Sequence, residues 1–269
     1  MSIRKLPFLF ILITVLSISL QFEITAQEPA KKSDVDIVFI GNSITEGALL
    51  EKPKLEAPPI IASEDLRHRA GIGEVNFINK GRSGFTTLDF LPSKGGAFED
   101  VLAATVQLHK DTKRLLIFSI SLGTNDSAEK GPNGSPVGPT DYHKNMDSII
   151  NQLIENFPNC KIILQQPIWY SPNTYNGAEY MEKGLARLQL YFPELQSIVI
   201  VYSKKKPHQV FLGNEQGYEY FKEAHLKYLV PETGKEGTFY LHPNKEGAVI
   251  LGKFWSDAIY DQLIKNYTN

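Results

Sequence analysis

The sequence predicts an α/β protein with a mostly parallel sheet covered by helices on both faces. Short β-branched runs alternate with longer amphipathic segments along the chain. These runs are apolar nearly throughout, as expected of strands buried on both faces. Most are followed by a glycine-containing turn. Alternation of this kind marks parallel strands joined by crossover helices.

The first strand is "DVDIVFIG", too short for a helix and stopped by glycine. "EVNFINKG" and "KRLLIFSISLG" repeat the form, "CKIILQQP" is a fourth strand ended by Pro167, and "HQVFLG" is a weaker fifth. Helices fall between them: "IIASEDLRHRAG", "FEDVLAATVQLHKD", "TDYHKNMDSIINQLIENFP" and "YMEKGLARLQLYF". In the third, Tyr142, Met146, Ile149, Ile150, Leu153, Ile154 and Phe157 form one apolar stripe. "SIVIVYSKKK" is β-branched enough for a strand but continues the helical pattern after "FPEL", and is read as helix. "YEYFKEAHLKYL" and "NKEGAVILGKFWSDAIYDQLIKN" are the last predicted helices. The result is a five-stranded sheet with no repeat and no composition break marking a second fold unit.

The chain has 269 residues, a net charge of −2 and 42 % apolar residues, enough for a substantial core. The near-neutral balance argues against nucleic acid as a partner, because phosphate binding needs a concentrated basic face. "KKKP" at Lys204 to Pro207 is read as a solvated loop. Arg4 and Lys5 precede the apolar run "LPFLFILITVLSISL" and the small residue Ala26. This is the order of a secretory signal peptide, expected over 1–26 and followed by a short linker over 27–34 and a single domain over 35–269. The run is shorter than the roughly 20 residues a spanning helix needs, so an exported, periplasmic or extracellular protein without stable membrane insertion is expected. The lone Cys160 cannot form an intramolecular disulfide and reads as a small core residue. Scattered histidines, no Cys pair and no HExxH give no expectation of a metal, and no cofactor motif is present.

Ligands of such sheets bind in the loops after the strands' carboxyl ends. The first such loop is "GNSITEG". Ser43 there has two readings: a nucleophile, or the start of an S-x-x-E capping box with Glu46. The second is "NKGRSGFTT", where Gly81 and Gly84 let the backbone turn and approach a ligand. The third, "LGTNDS", offers the Asn125 amide. Near the C-terminus, in "GTFYLHPNKEGA", His242 is expected to open the last helix through Pro243. Trp169, Tyr170 and Tyr175 in "PIWYSPNTY" are candidates for stacking on a sugar ring, with packing of a long loop as the alternative.

Together these stretches resemble the SGNH (GDSL-type) hydrolases, a family of esterases and lipases. "IVFIGNSIT" resembles the first block, with Asn42 where Asp is usual; "INKGRSG" the second; "LGTND" the third; and "YLHPN" the histidine half of the last. The resemblance implies a flavodoxin-like three-layer α/β/α sandwich. It also implies a catalytic Ser43–His242 pair, and an oxyanion hole from the N–H groups of Ser43 and Gly84 with the Asn125 side chain. The implied activity is that of a serine esterase; with the export signal, the polar loops and no long apolar lid, the expected substrates are short acyl, notably O-acetyl, esters of carbohydrates, small or polymeric. A weakened or inactive carbohydrate-binding protein and a lipase or thioesterase are the alternatives.

One position departs from the pattern. The family has an Asp three residues before the histidine, where this chain has Phe239. Either an acid comes from elsewhere (Asp126, Glu223, Glu232 and Glu236 are the candidates), or a backbone carbonyl holds the imidazole, or activity is weakened. Triads are defined by position in space, so any of these acids qualifies until the fold is known.

Overall fold

The computed structural model describes residues 32–131 and 133–264. The expected signal peptide and most of the expected linker lie outside the described residues. The chain runs β1 (Ser33–Gly41), α1 (Ser43–Glu46), α2 (Pro53–Glu56), α3 (Pro58–Arg67), β2 (Ile72–Gly81), α4 (Ala97–Leu108), β3 (Leu115–Ser121) and α5 (Pro139–Asn156). It continues β4 (Lys161–Leu164), α6 (Met181–Lys205), β5 (Val210–Leu212), α7 (Gly217–Glu223), α8 (His225–Tyr228), β6 (Leu229–Gly234), β7 (Gly237–Pro243) and α9 (Lys245–Ile264). β1 begins at Ser33, so the sheet takes up the last two residues assigned to the linker.

β1 to β5 form one parallel sheet in the order β2-β1-β3-β4-β5. The predicted five strands are these five. β1 lies inside the sheet between β2 and β3, and its residues from Val35 to Gly41 are all buried. Register partners in a parallel pair share a face, and successive side chains alternate faces. Phe39 pairs with Ser119 and stacks on Trp255 of α9 with ring centroids 6.1 Å apart. Val38 pairs with Phe118, whose ring meets Phe157 at the end of α5 at 5.7 Å. The sheet is therefore covered on both faces, with α9 on one side and α5 on the other.

The α5 stripe is buried from Tyr142 to Ile154 as its periodicity requires. "SIVIVYSKK" belongs to α6, which passes through Pro193 without ending. Lys204 and Lys205 lie in the last turn of α6 rather than in a loop, where cations face the negative end of the helix dipole. Cys160 is buried beside β4, and burial pushes its thiol up to about 12, so it packs as a neutral core group.

Two expectations fail locally. β6 and β7 form an antiparallel hairpin where the sequence predicts no strands. His242 lies on β7 rather than at a helix entrance, and α9 starts only at Lys245. Asn244, not Pro243, makes the start of that helix: its Oδ1 accepts from Gly247 N at 2.9 Å.

Candidate active site

The first strand ends against a one-turn helix. Asn42 is its N-cap, with Oδ1 accepting from Ile44 N at 3.0 Å. The expected capping box is therefore shifted by one residue. Asn42 caps, and Ser43 becomes the first helical residue, where its N–H has no acceptor within the helix. Glu46 does not reach back to the cap either. Its carboxylate takes the Ser83 N–H at 2.8 Å and the Ser83 hydroxyl, tying α1 to the loop after β2. Asn79 adds a second tie, donating to Thr45 O at 2.7 Å.

The two glycines of that loop have distinct reasons. A Cβ on Gly81 would stand 2.3 Å from Glu46 N, so only glycine permits so close an approach of β2 to α1. Gly84 has φ +80°, in the left-handed region that glycine alone enters freely. The loop after β3 brings in Asn125. Its Nδ2 donates to Phe85 O at 2.8 Å, and its Oδ1 accepts from the Tyr180 hydroxyl at 2.6 Å.

β7 supplies His242, which is 7 % exposed. Its Nε2 lies 2.9 Å from Ser43 Oγ, across 199 positions of sequence. Its Nδ1 lies 2.9 Å from Glu232 Oε1. The carboxylate can only accept, so Nδ1 carries the hydrogen and Nε2 turns its lone pair toward the serine hydroxyl. Glu232 sits on β6 directly opposite Phe239 in the hairpin register. A carboxylate from the neighbouring strand thus stands at His242 Nδ1, where Phe239 offers none. Phe239, at 1 % exposure, is part of the core.

Asp126, another candidate acid, bonds to Thr87 and not to the histidine. It is fully buried, with Oδ1 accepting from Thr87 N at 2.9 Å and from the Thr87 hydroxyl, and burial pushes its pKa up to about 6. Trp169 and Tyr170 are not brought to the site. Trp169 is buried with its ring against His225 at 5.0 Å, and Tyr170 is fully buried with its hydroxyl 2.9 Å from Ser127 Oγ. Loop packing, the alternative stated for them, is where the structure places both.

Ser43, Gly84, Asn125 and His242 meet at one cleft of ≈ 640 Å³, whose wall also includes Tyr180 and Leu241. A hydroxyl, an imidazole and a carboxylate in line, beside amide donors, can perform acyl transfer. The described residues hold no group of three His, Cys, Asp or Glu side chains placed to take a metal ion. Sequence reasoning missed Tyr180 and the clamp role of Glu46, and could not single out Glu232. The signal for Glu232 was the hairpin itself, two runs joined across "GKEG".

Residues 39–250 match the model of the GDSL-like lipase/acylhydrolase family. The chain belongs to that family. As a GDSL-like acylhydrolase it is an ester-hydrolysing enzyme. Solved structures share its fold at low identity. A lipase/acylhydrolase from Enterococcus faecalis is 18 % identical with TM-score 0.53, over 85 % of this chain and 96 % of that one. An aryl esterase from M. smegmatis is 15 % identical with TM-score 0.55, over 84 % and 99 %. A two-domain esterase active on acetylated mannans is 16 % identical with TM-score 0.52, over 88 % of this chain and 50 % of that one. No curated protein matches the chain in sequence.

Proposed function

We propose that this acylhydrolase uses Ser43 as nucleophile, His242 as general base and Glu232 as the acid that orients the imidazole and stabilises its protonated form. The observation that carries the reading is the unbroken line Ser43 Oγ, His242 Nε2, His242 Nδ1, Glu232 Oε1, with both contacts at 2.9 Å. His242 takes the serine proton as Oγ bonds to the ester carbon. The carbonyl oxygen becomes an oxyanion held by the N–H groups of Ser43 and Gly84 and the Asn125 amide. The nearby Glu232 carboxylate stabilises the imidazolium. His242 then protonates the departing alcohol oxygen, and water, deprotonated by the same imidazole, releases the acid.

The substrate proposed is a short acyl ester, notably O-acetyl, on a carbohydrate. Its support is the presence of the polar groups of Ser83, Lys130 and Asn176 among the residues lining the cleft. The mannan-active esterase of similar fold performs chemistry of this class. Export is proposed from the charged-then-apolar order of residues 1–26. Glu232 also removes the ground for an inactive binding protein, which was the lack of an acid at Phe239.

The test is an acyl-length series of nitrophenyl esters with wild type and Ser43→Ala, followed by acetate release from acetylated polysaccharides. Acetate esters are expected to be preferred and Ser43→Ala to lose turnover. Preference for long chains would return the lipase reading. Full turnover by Ser43→Ala would remove the mechanism. Cell fractionation settles export.

A further inference from the structure

An asparagine in an oxyanion hole is useful in only one of its two amide orientations. Flipped, it would present a carbonyl to the developing negative charge. The structure holds Asn125 from both ends: Phe85 O accepts one Nδ2 hydrogen, and the Tyr180 hydroxyl donates to Oδ1 at 2.6 Å. The second Nδ2 hydrogen is then left for the cleft.

We infer that Tyr180 is a positioning residue for catalysis, donating to the Asn125 carbonyl so that the amide stays oriented and becomes a stronger donor to the oxyanion. The inference rests on the proposed oxyanion hole. The second half of it is polarisation. A hydrogen bond accepted at Oδ1 draws electron density through the amide and leaves Nδ2–H more positive, so successive hydrogen bonds reinforce one another. The gain is largest when the partner is an anion, as in the transition state, and so falls on kcat rather than on substrate binding.

Tyr180 suits this task. It is 3 % exposed yet forms part of the cleft wall. Burial raises its phenol far above the usual tyrosine value, so it remains a protonated donor across any working pH. Its own position is held. The ring meets Tyr170 edge to face at 5.3 Å, and Tyr180 N donates to Thr174 O at 3.1 Å. Its neighbour Glu179 exchanges backbone hydrogen bonds with Lys130, at 2.6 Å and 3.1 Å, which joins this segment to the loop bearing Asn125. Two loops that meet only in the folded protein thereby set one amide.

The test is a double-mutant cycle of Tyr180→Phe and Asn125→Ala. Active sites are counted by fluorophosphonate labelling carried to completion, so kcat refers to folded enzyme only. Tyr191→Phe, which removes another buried hydroxyl bound to Val137 O, is the control for structural loss. Tyr180→Phe is expected to lower kcat by ~10-fold with KM within about twofold. It is also expected to weaken a trifluoromethyl ketone, whose adduct bears the oxyanion, by a similar factor. In the Asn125→Ala background the same substitution should change kcat by less than about twofold. An equal loss in both backgrounds, a loss confined to KM, or an equal loss in Tyr191→Phe overturns the role of Tyr180. An Asn125→Ala enzyme with unchanged kcat instead overturns the oxyanion hole itself.

Discussion

Glu232 and Asp126 are both acids on or near the site, and their surroundings give them opposite uses. Glu232 has a 14 % exposed side chain and a histidine partner, whose Nδ1–H donates to its carboxylate. Glu232→Gln preserves the shape but removes the charge and permits the wrong imidazole tautomer. kcat is expected to fall by on the order of 10³, with KM little changed, in a nitrophenyl acetate assay. Asp126 has no exposure and no partner for Oδ2. Burial raises its pKa from 3.8 to about 6. Below pH 3.8 both folded and unfolded chains hold the proton. As pH rises the unfolded chain loses it first, so this group's contribution to stability falls until about pH 6 and is constant above. The total is on the order of 3 kcal/mol. Asp126→Asn should remove that part of the slope, read as the difference between wild-type and variant urea denaturation from pH 4 to pH 7. Parallel curves would show that the buried carboxyl does not titrate there.

The five strands and the long helices were legible because each is a local pattern. A continuous apolar run such as "DIVFI" has no stable place except a covered strand, and the α5 stripe fits only a helix with one buried face. The β6–β7 hairpin was not legible in the same way. Pro231 weakens its first strand as a local pattern, and the preceding "YEYFKEAHLKYL" carries helical periodicity into it. That segment divides at Ala224 into α7 and α8, and the chain turns extended at Leu229. The start of α1 shows a finer error. Asn42 and Ser43 are both good caps by type, and only backbone geometry distinguishes them. The one-residue difference matters because it releases the Ser43 hydroxyl from capping and leaves its N–H free of the helix.

The layers share one continuous core, which makes stability a property of the whole molecule rather than of any part. Trp255 is the clearest example. At 1 % exposure it stacks on Phe39 and ties α9 to β1, an interior strand of the sheet. Trp255→Ala should cost ~3–5 kcal/mol in urea denaturation, from lost contact and the cavity left behind. Trp255→Phe should cost far less, since it keeps an aromatic ring there and removes an indole N–H with no hydrogen-bond acceptor in the structure. Equal losses would show that ring contact with Phe39 is not what holds α9 in place.

The strand order of chemistry-bearing loops could be read directly from the chain, because strands of one direction place their following loops at one edge. Ser43, Gly84 and Asn125 are legible that way, while His242, on β7 of the antiparallel hairpin, is legible only from its own stretch "YLHPN". The acid and the tyrosine are legible in neither way. Glu232 reaches His242 through cross-strand register, and Tyr180 reaches Asn125 through a bridge between two loops. Glu232 lies only ten residues before His242, yet their meeting depends on the register of the hairpin, and the Tyr180–Asn125 pair, 55 residues apart, is set by which loops the packed core brings within hydrogen-bond distance.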